Sequence, residues 1–146
     1  MSSCCSSTVF TSAGSAVLAV NRTIQAIVNL SQSVAALLGN PAAYNSTYAA
    51  AITNTIEFIK LDVAGLTSLT TVQRNEVINV LNQAEAINNS ASAAGVITVQ
   101  QINSILALLE LAVLKLRAFS FLTAIFPFLQ RDCCGTSNLR SRCGCC

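Results

Sequence analysis

The most reactive side chains in this sequence are its cysteines, and they stand only near its two ends. The seven are Cys4, Cys5, Cys133, Cys134, Cys143, Cys145 and Cys146. A thiol can form a disulfide, bind a metal ion or accept a lipid. Disulfides that hold one small core together usually take their cysteines from all along the chain, whereas the stretch from Ser6 to Asp132 contains none. The positions therefore predict thiol-bearing tails on either side of a core without disulfides.

The cysteines also occur in adjacent pairs, which limits what they can bond to. Six of the seven stand in three such pairs. Two neighbouring cysteines can bridge each other only through a strained ring, so each member needs a different partner. Because the total is odd, full oxidation leaves at least one thiol per chain that pairs with another molecule or stays free. We therefore predict that the seven cysteines form disulfides between molecules.

Metal binding and lipidation are the two alternatives for these thiols. Zinc sites usually use spacings such as C-x2-C, whereas the second tail has an adjacent pair, a gap of eight residues and then C-G-C-C. We therefore predict no metal and no cofactor, while metal binding before oxidation stays open. The final Cys145-Cys146 is similar to the end of prenylated small GTPases, and paired N-terminal cysteines can be palmitoylated. The chain lacks the phosphate-binding loop of GTPases, so lipidation is the weaker interpretation.

The composition indicates one domain that buries much of its surface against copies of itself. Of the 146 residues, only 10% are charged and 53% are hydrophobic, and the mean hydropathy is +0.59. Soluble domains carry about 25% charged residues. A net charge of +2 is too small for a nucleic-acid surface, so we predict no nucleic-acid partner.

Glycine and proline divide the middle of the chain into four segments with helical periodicity. They cover about residues 12–38, 41–64, 71–87 and 99–126. We expect Asn40 to cap the second segment, ahead of Pro41, and capping boxes at Thr70 and Thr98 to begin the third and fourth. Short connections between such segments are typical of an antiparallel bundle. The sequence therefore predicts an all-α protein, an antiparallel four-helix bundle with flexible cysteine-bearing tails.

The predicted domain organisation follows from these segments. A connector arm spans residues 1–11, the bundle residues 12–129 and a cysteine-rich tail residues 130–146. We expect the apolar stripe of the first helix to reach Leu38. The third helix should end before residues 88–95, which we interpret as a break between helices. Thiols on two chemically distinct tails suit head-to-tail joining of subunits.

The fourth segment is apolar on nearly every side, so it is either the central helix of the bundle or a helix shared with another subunit. Residues 105–129 are long enough to cross a membrane. However, Glu110, Lys115 and Arg117 fall within that stretch, and each costs about 2.5 to 3.5 kcal/mol at the centre of a bilayer. A membrane span is therefore the weaker interpretation.

Catalytic chemistry has little support in this sequence. The absence of histidine removes the commonest general base and the Ser-His and Cys-His dyads. The acids are spread over different segments, at Glu57, Asp62, Glu76, Glu85, Glu110 and Asp132. Glu110 stands among apolar residues, which would favour its protonated form, but we expect it to pair with Lys115 or Arg117 of a neighbouring helix. No catalytic residue is predicted, and the protein is not expected to be an enzyme.

The two ends resemble those of bacterial spore proteins. The opening Met1-Ser-Ser-Cys-Cys-Ser-Ser7 resembles the N-terminal connector of endospore appendage proteins, and Cys143-Gly-Cys-Cys146 is similar to the tails of spore coat and exosporium proteins. That resemblance implies an arm that cross-links stacked subunits. The appendage subunits of that family have a β-sandwich core, whereas this chain predicts helices. The likeness covers the tails alone.

These observations together predict a structural subunit that assembles with itself into a disulfide cross-linked fibre or layer. The first apolar stretch lacks a basic leader, so we expect no secretory signal peptide. Cytosolic disulfides are rare, and assembly inside a mother cell that later lyses would bring the product into an oxidising exterior. We therefore expect a location on the spore surface, with other spore-surface proteins as further partners. The alternative is a membrane-associated helical protein anchored by lipidated cysteines or by the fourth helix.

Overall fold

A computed structural model of the protein describes the backbone of residues 3–136 and the side chains of residues 14–121. Within these residues the chain forms four α-helices and no strand. Their bounds are α1 Ser3–Gly39, α2 Ser46–Ala64, α3 Thr71–Ala94 and α4 Val99–Thr136. A short 3-10 helix, Pro41–Ala43, lies between α1 and α2. The all-α bundle predicted from the sequence is confirmed.

Contacts between neighbouring helices show that each runs opposite to the one before it. The Tyr48 hydroxyl, at the start of α2, donates to the Ser33 carbonyl near the end of α1, 2.6 Å away. Late in α2, the ammonium group of Lys60 lies 3.0 Å from the amide oxygen of Asn82 on α3. Of all the helix pairs, α1 and α4 make the most extensive contact, so the first and last helices are neighbours in the bundle. Because α1 is followed by three reversals, it lies antiparallel to α4.

All four helices contribute to one apolar core. The largest side chains that it buries completely are Ile27, Leu37, Ile52, Ile56, Ile59, Leu81, Ile102, Ile105, Leu109 and Leu116. Leu37 takes the place that the sequence analysis gave to Leu38, which is 42% exposed. Buried positions in α1 recur every seven residues, as in Leu30 and Leu37, and this 3.5-residue repeat drifts around a helix of 3.6 residues per turn. Leu38 is out of phase with that repeat.

The capping boxes predicted at the starts of α3 and α4 are confirmed. The Thr70 hydroxyl accepts from the Gln73 backbone N–H at 3.1 Å, and the Gln73 side chain accepts from the Thr70 N–H at 2.9 Å. Thr98 and Gln101 make the same reciprocal pair at the same two distances. At the end of α3, Gly95 has φ of 78°, the left-handed conformation that glycine adopts without strain. These residues set where the helices begin and end.

The start of α2 differs from the prediction. Asn40 precedes only the short 3-10 helix and makes no side-chain capping bond, while Asn45 caps α2 by accepting from the Tyr48 N–H at 2.9 Å. Between them the backbone of Tyr44 is extended. Tyr44 leaves the helical path because its ring is buried and its hydroxyl reaches Asn88 on α3.

Three helices are longer than predicted. α1 begins at Ser3, ahead of Ser12, and α3 continues through Asn88 to Ala94. The break expected at Asn88 was wrong because the amide of this residue is buried and bonded inside the bundle. α4 continues through Pro127 to Thr136, although proline supplies no N–H to the helix. The connector arm and the tail therefore share residues with α1 and α4, and the domain boundaries proposed for them stay a prediction.

Candidate functional site

The two longest helices, α1 and α4, carry four of the seven cysteines. Cys4 and Cys5 belong to the first turn of α1, and Cys133 and Cys134 to the last turn of α4. The remaining three, Cys143, Cys145 and Cys146, lie outside the described residues. All seven stay predicted cross-linking residues.

The beginning of α1 and the end of α4 lie at the same end of the bundle, because these two helices are antiparallel neighbours. The turn between α2 and α3, residues 65–70, is at that end too, since Ser15, Ala16 and Ala19 of α1 line one pocket together with residues 65–68. We call this end the cysteine pole. Head-to-tail joining of subunits through the two tails stays a prediction.

Both helices continue past the α2–α3 turn at the cysteine pole. Residues 3–14 of α1 precede the segment that contacts the turn, and at 1.5 Å per residue they add roughly 18 Å of helix. On α4, Lys115 contacts Glu76 in the second turn of α3 at 3.3 Å, and the helix then runs on to Thr136. The described cysteines thus stand on extensions that α2 and α3 do not accompany.

The α2–α3 turn at the cysteine pole is held in place by hydrogen bonds and by burial. The Arg74 guanidinium donates to the carbonyl oxygens of Leu66 and Leu69 at 3.0 and 2.7 Å, so a cation satisfies backbone acceptors in the turn. Leu66 and Leu69 are themselves buried. The capping box at Thr70 then begins α3. The sequence analysis found the capping box but missed the role of Arg74, which depends on acceptors five and eight residues earlier in the chain.

An ion cluster joins α2 to α3 on one side of the bundle. Lys60 lies between two carboxylates, Glu57 on its own helix and Glu85 on α3, and it also donates to Asn82. A hydrogen bond from Lys60 lowers the pKa of Glu57 below its ordinary value. Burial acts to lower the pKa of Lys60, but its bonds to the two carboxylates outweigh burial and raise it. A cation between two anions suits helix pairing rather than proton transfer.

Within the described part of a single chain, Glu110 does not make the ion pair expected with Lys115 or Arg117. It lies on the exposed side of α4, and within residues 14–121 it takes part in no ion pair. Lys115, one of the two expected partners, forms an ion pair with Glu76 instead. The periodicity of α4 misled the prediction because both faces of this helix are apolar.

A buried polar network lies near the pole opposite the cysteines, and the sequence analysis missed it. The Tyr44 hydroxyl donates to the backbone and side-chain oxygens of Asn88, at 3.0 and 2.9 Å. The Asn88 amide in turn donates to Ala49 and Thr53, each at 2.9 Å. Burial raises the pKa of Tyr44 above its ordinary value. Every polar atom of the Asn88 side chain is used inside the protein, which indicates a structural role.

No group of three or more histidine, cysteine, aspartate or glutamate side chains comes together within the part of the chain that the structure describes. None of the helices in that part combines the length and the apolar character that a membrane span needs.

Comparison with known proteins gives no relative. The chain matches no protein-family model, no curated protein sequence and no solved structure.

Proposed function

We propose that the protein is a non-enzymatic structural subunit that is cross-linked through disulfides at its cysteine pole into a fibre or layer. The observation that carries this proposal is the position of two adjacent cysteine pairs at the ends of the two longest helices, on extensions beyond the packed bundle. Thiols at such positions meet a neighbouring molecule more readily than thiols inside a core. Because no cysteine occurs from residue 6 to residue 132, any bridge must join tail to tail.

The composition supports the same proposal. A bundle with 10% charged residues and several large exposed apolar side chains, such as Phe58 and Leu61, favours association with other proteins. The resemblance of both tails to spore appendage, coat and exosporium proteins favours assembly on the surface of a bacterial spore. Its partners there are copies of itself and other spore-surface proteins. Disulfides then form after the mother cell lyses.

The first test is electrophoresis after boiling in detergent, with and without reductant. We expect a ladder of covalent oligomers from the oxidised protein and one monomer band after reduction. Replacing Cys4 and Cys5 by serine should shorten the ladder and leave the circular dichroism of the helices unchanged. The matched control replaces Ser2 and Ser3 by alanine, which alters the same segment but keeps its thiols.

A monomer band in both lanes would contradict the proposal. Mass spectrometry of unreduced peptides gives a second check, because the shared pole also allows Cys4 or Cys5 to pair with Cys133 or Cys134 of the same chain. If every bridge to Cys4 and Cys5 is intramolecular, the cross-linking mechanism is wrong. Partition into detergent together with an added acyl or prenyl mass on cysteine would support the membrane-anchored alternative instead.

A further inference from the structure

The outer face of α4 carries an apolar stripe that the bundle does not cover. Its members are Ala107, Leu111, Leu114, Ala118 and Phe121, all exposed, with 53% of Leu114 and 63% of Phe121 accessible to solvent. Their spacing of four and three residues in alternation is the heptad repeat of a helix that pairs with another helix. The opposite face of α4 is already packed in the core, so this stripe is a second helix-packing surface.

The outer faces of the neighbouring helices differ from this stripe. Exposed positions along α3 are mostly polar, at Asn75, Glu76, Asn79, Asn82, Gln83 and Asn89. Those along α1 include Asn21, Arg22, Gln25, Asn29 and Gln32. Phe58 and Leu61 of α2 are exposed too, but neither neighbour of α4 in the bundle carries a comparable stripe, so the apolar surface is not spread evenly over the bundle.

Large and small side chains in the stripe are arranged symmetrically about Leu114. Ala107 lies seven residues before it and Phe121 seven residues after it, while Leu111 and Ala118 lie three before and four after. If two copies of α4 run antiparallel and cross at Leu114, Phe121 and Leu111 of each copy lie opposite Ala107 and Ala118 of the other, and the two Leu114 side chains meet at the axis. Such interdigitation of large and small residues is what close helix packing requires.

The charges beside the stripe follow the same symmetry. Glu110 lies four residues before Leu114 and Arg117 three residues after it, both on one edge of the stripe. Both are exposed, and neither takes part in an ion pair within residues 14–121. In the antiparallel pair, Glu110 of each copy faces Arg117 of the other, at the positions where charges set helix orientation. In a parallel pair this edge of one copy would face the opposite edge of the other, so Glu110 and Arg117 would not meet and their contact is specific to the antiparallel arrangement.

We propose that two copies of the protein pair through this stripe, with their α4 helices antiparallel about a two-fold axis at Leu114. The pairing does not depend on disulfides, so it stands apart from the proposed cross-linking. Its consequence is that the two cysteine poles point in opposite directions, one at each end of the pair.

The test is sedimentation equilibrium of the full chain in reductant, where disulfides contribute nothing. We expect a monomer–dimer equilibrium. Leu114→Glu places two carboxylates together at the axis and should raise the dimer dissociation constant at least thirtyfold, about the effect of losing a central contact residue. The matched control is Phe58→Glu, the same kind of change at an exposed apolar residue of α2, and it should leave the constant unchanged.

A charge exchange tests the orientation with less risk to folding, because both residues are on the surface. Glu110→Arg alone creates two like-charge contacts per dimer and should weaken it roughly tenfold, as should Arg117→Glu alone. The double variant restores two opposite-charge pairs and should return the constant to within about twofold of the original. Circular dichroism of each variant reports whether the bundle is intact.

Three results would overturn the proposal. One is a wild-type chain that stays monomeric over its whole soluble range. A second is loss of association in Phe58→Glu but not in Leu114→Glu, which would place the contact on α2. The third is a double charge variant that is no tighter than either single variant.

Discussion

At the scale of single residues, Tyr44 and Asn88 show how a buried polar contact can fix the path of the chain. Tyr44 interrupts the helical run between α1 and α2, and its hydroxyl donates to Asn88 on α3. A phenol in this position is stabilised as long as it keeps its proton. Ionisation would remove the donor and place a negative charge against two oxygen atoms, which is costly in a buried site.

The first prediction at this scale concerns alkaline pH. Burial raises the pKa of Tyr44, so its contribution to stability is complete below the ordinary value of 10.0 and is lost as the pH rises through the raised value. Tyr44→Phe should lower the free energy of unfolding at pH 7 by about 1 kcal/mol, because oxygens of Asn88 lose their donor. It should also remove part of the alkaline loss of stability.

Denaturant titrations in reductant at pH 7 to 11 measure both effects. Tyr48→Phe is the control, since it removes a hydroxyl at the more exposed contact with Ser33 and keeps Tyr44. A Tyr44→Phe variant whose stability falls with pH as steeply as that of the wild type would show that another group is responsible.

Contacts of this kind could not be predicted from the sequence. Asn88 stands in a polar stretch that reads as the end of a helix, and its partners are 44, 39 and 35 residues away. Only the folded bundle brings them together. Arg74 was missed for a similar reason, because nothing in its local pattern shows that it contacts the carbonyls of Leu66 and Leu69.

At the scale of the helices, local signals predicted the starts of α3 and α4 and the ends of α1 and α2. The capping boxes at Thr70 and Thr98 depend on residues three positions apart, so they can be read from the sequence, and both are present. The start of α2 was misplaced because Asn40-Pro41 begins only a short 3-10 helix. The periodicity of α4 showed that it has two apolar faces, but which face meets the core depends on the other three helices.

The prediction at this scale is that the two capping boxes contribute equally to stability. Thr70→Ala and Thr98→Ala should each lower the free energy of unfolding by about 1 kcal/mol, the usual cost of losing a side-chain cap. Chemical denaturation in reductant measures the change, with Thr67→Ala as the control because Thr67 is exposed in the α2–α3 turn. An effect of Thr70→Ala no larger than that of Thr67→Ala would contradict this account.

At the scale of the whole molecule, the number of helices decides where the tails are. An even number of antiparallel helices returns the chain to the end from which it started, so α1 begins and α4 ends at one pole. The four helices were predicted from the sequence, and this arrangement follows from their even number. The seven cysteines stay predicted cross-linking residues, and for Cys4, Cys5, Cys133 and Cys134 the fold gives a common location at this pole.

This location has a consequence for assembly. A subunit with one reactive pole, which carries several thiols, can join a few other subunits by their poles, and this yields small closed clusters and no extended chain. The antiparallel pair proposed through α4 changes this, because it carries a cysteine pole at each end. An assembly in which α4 contacts and disulfide contacts alternate can then grow by adding subunits at either end. The fibre proposed for this protein therefore needs both kinds of contact.

The last prediction tests that combination. Under oxidising conditions Leu114→Glu should still form covalent oligomers at its poles, but these should be small and discrete, because the second contact is lost. Phe58→Glu, with the α4 stripe intact, should form extended assemblies like the wild type. Electron microscopy and electrophoresis without reductant, applied to the same samples, separate covalent bonding from extension. Long fibres from Leu114→Glu would mean that the cysteine poles alone propagate the assembly, since disulfides to several neighbours at one pole would then replace the helix contact.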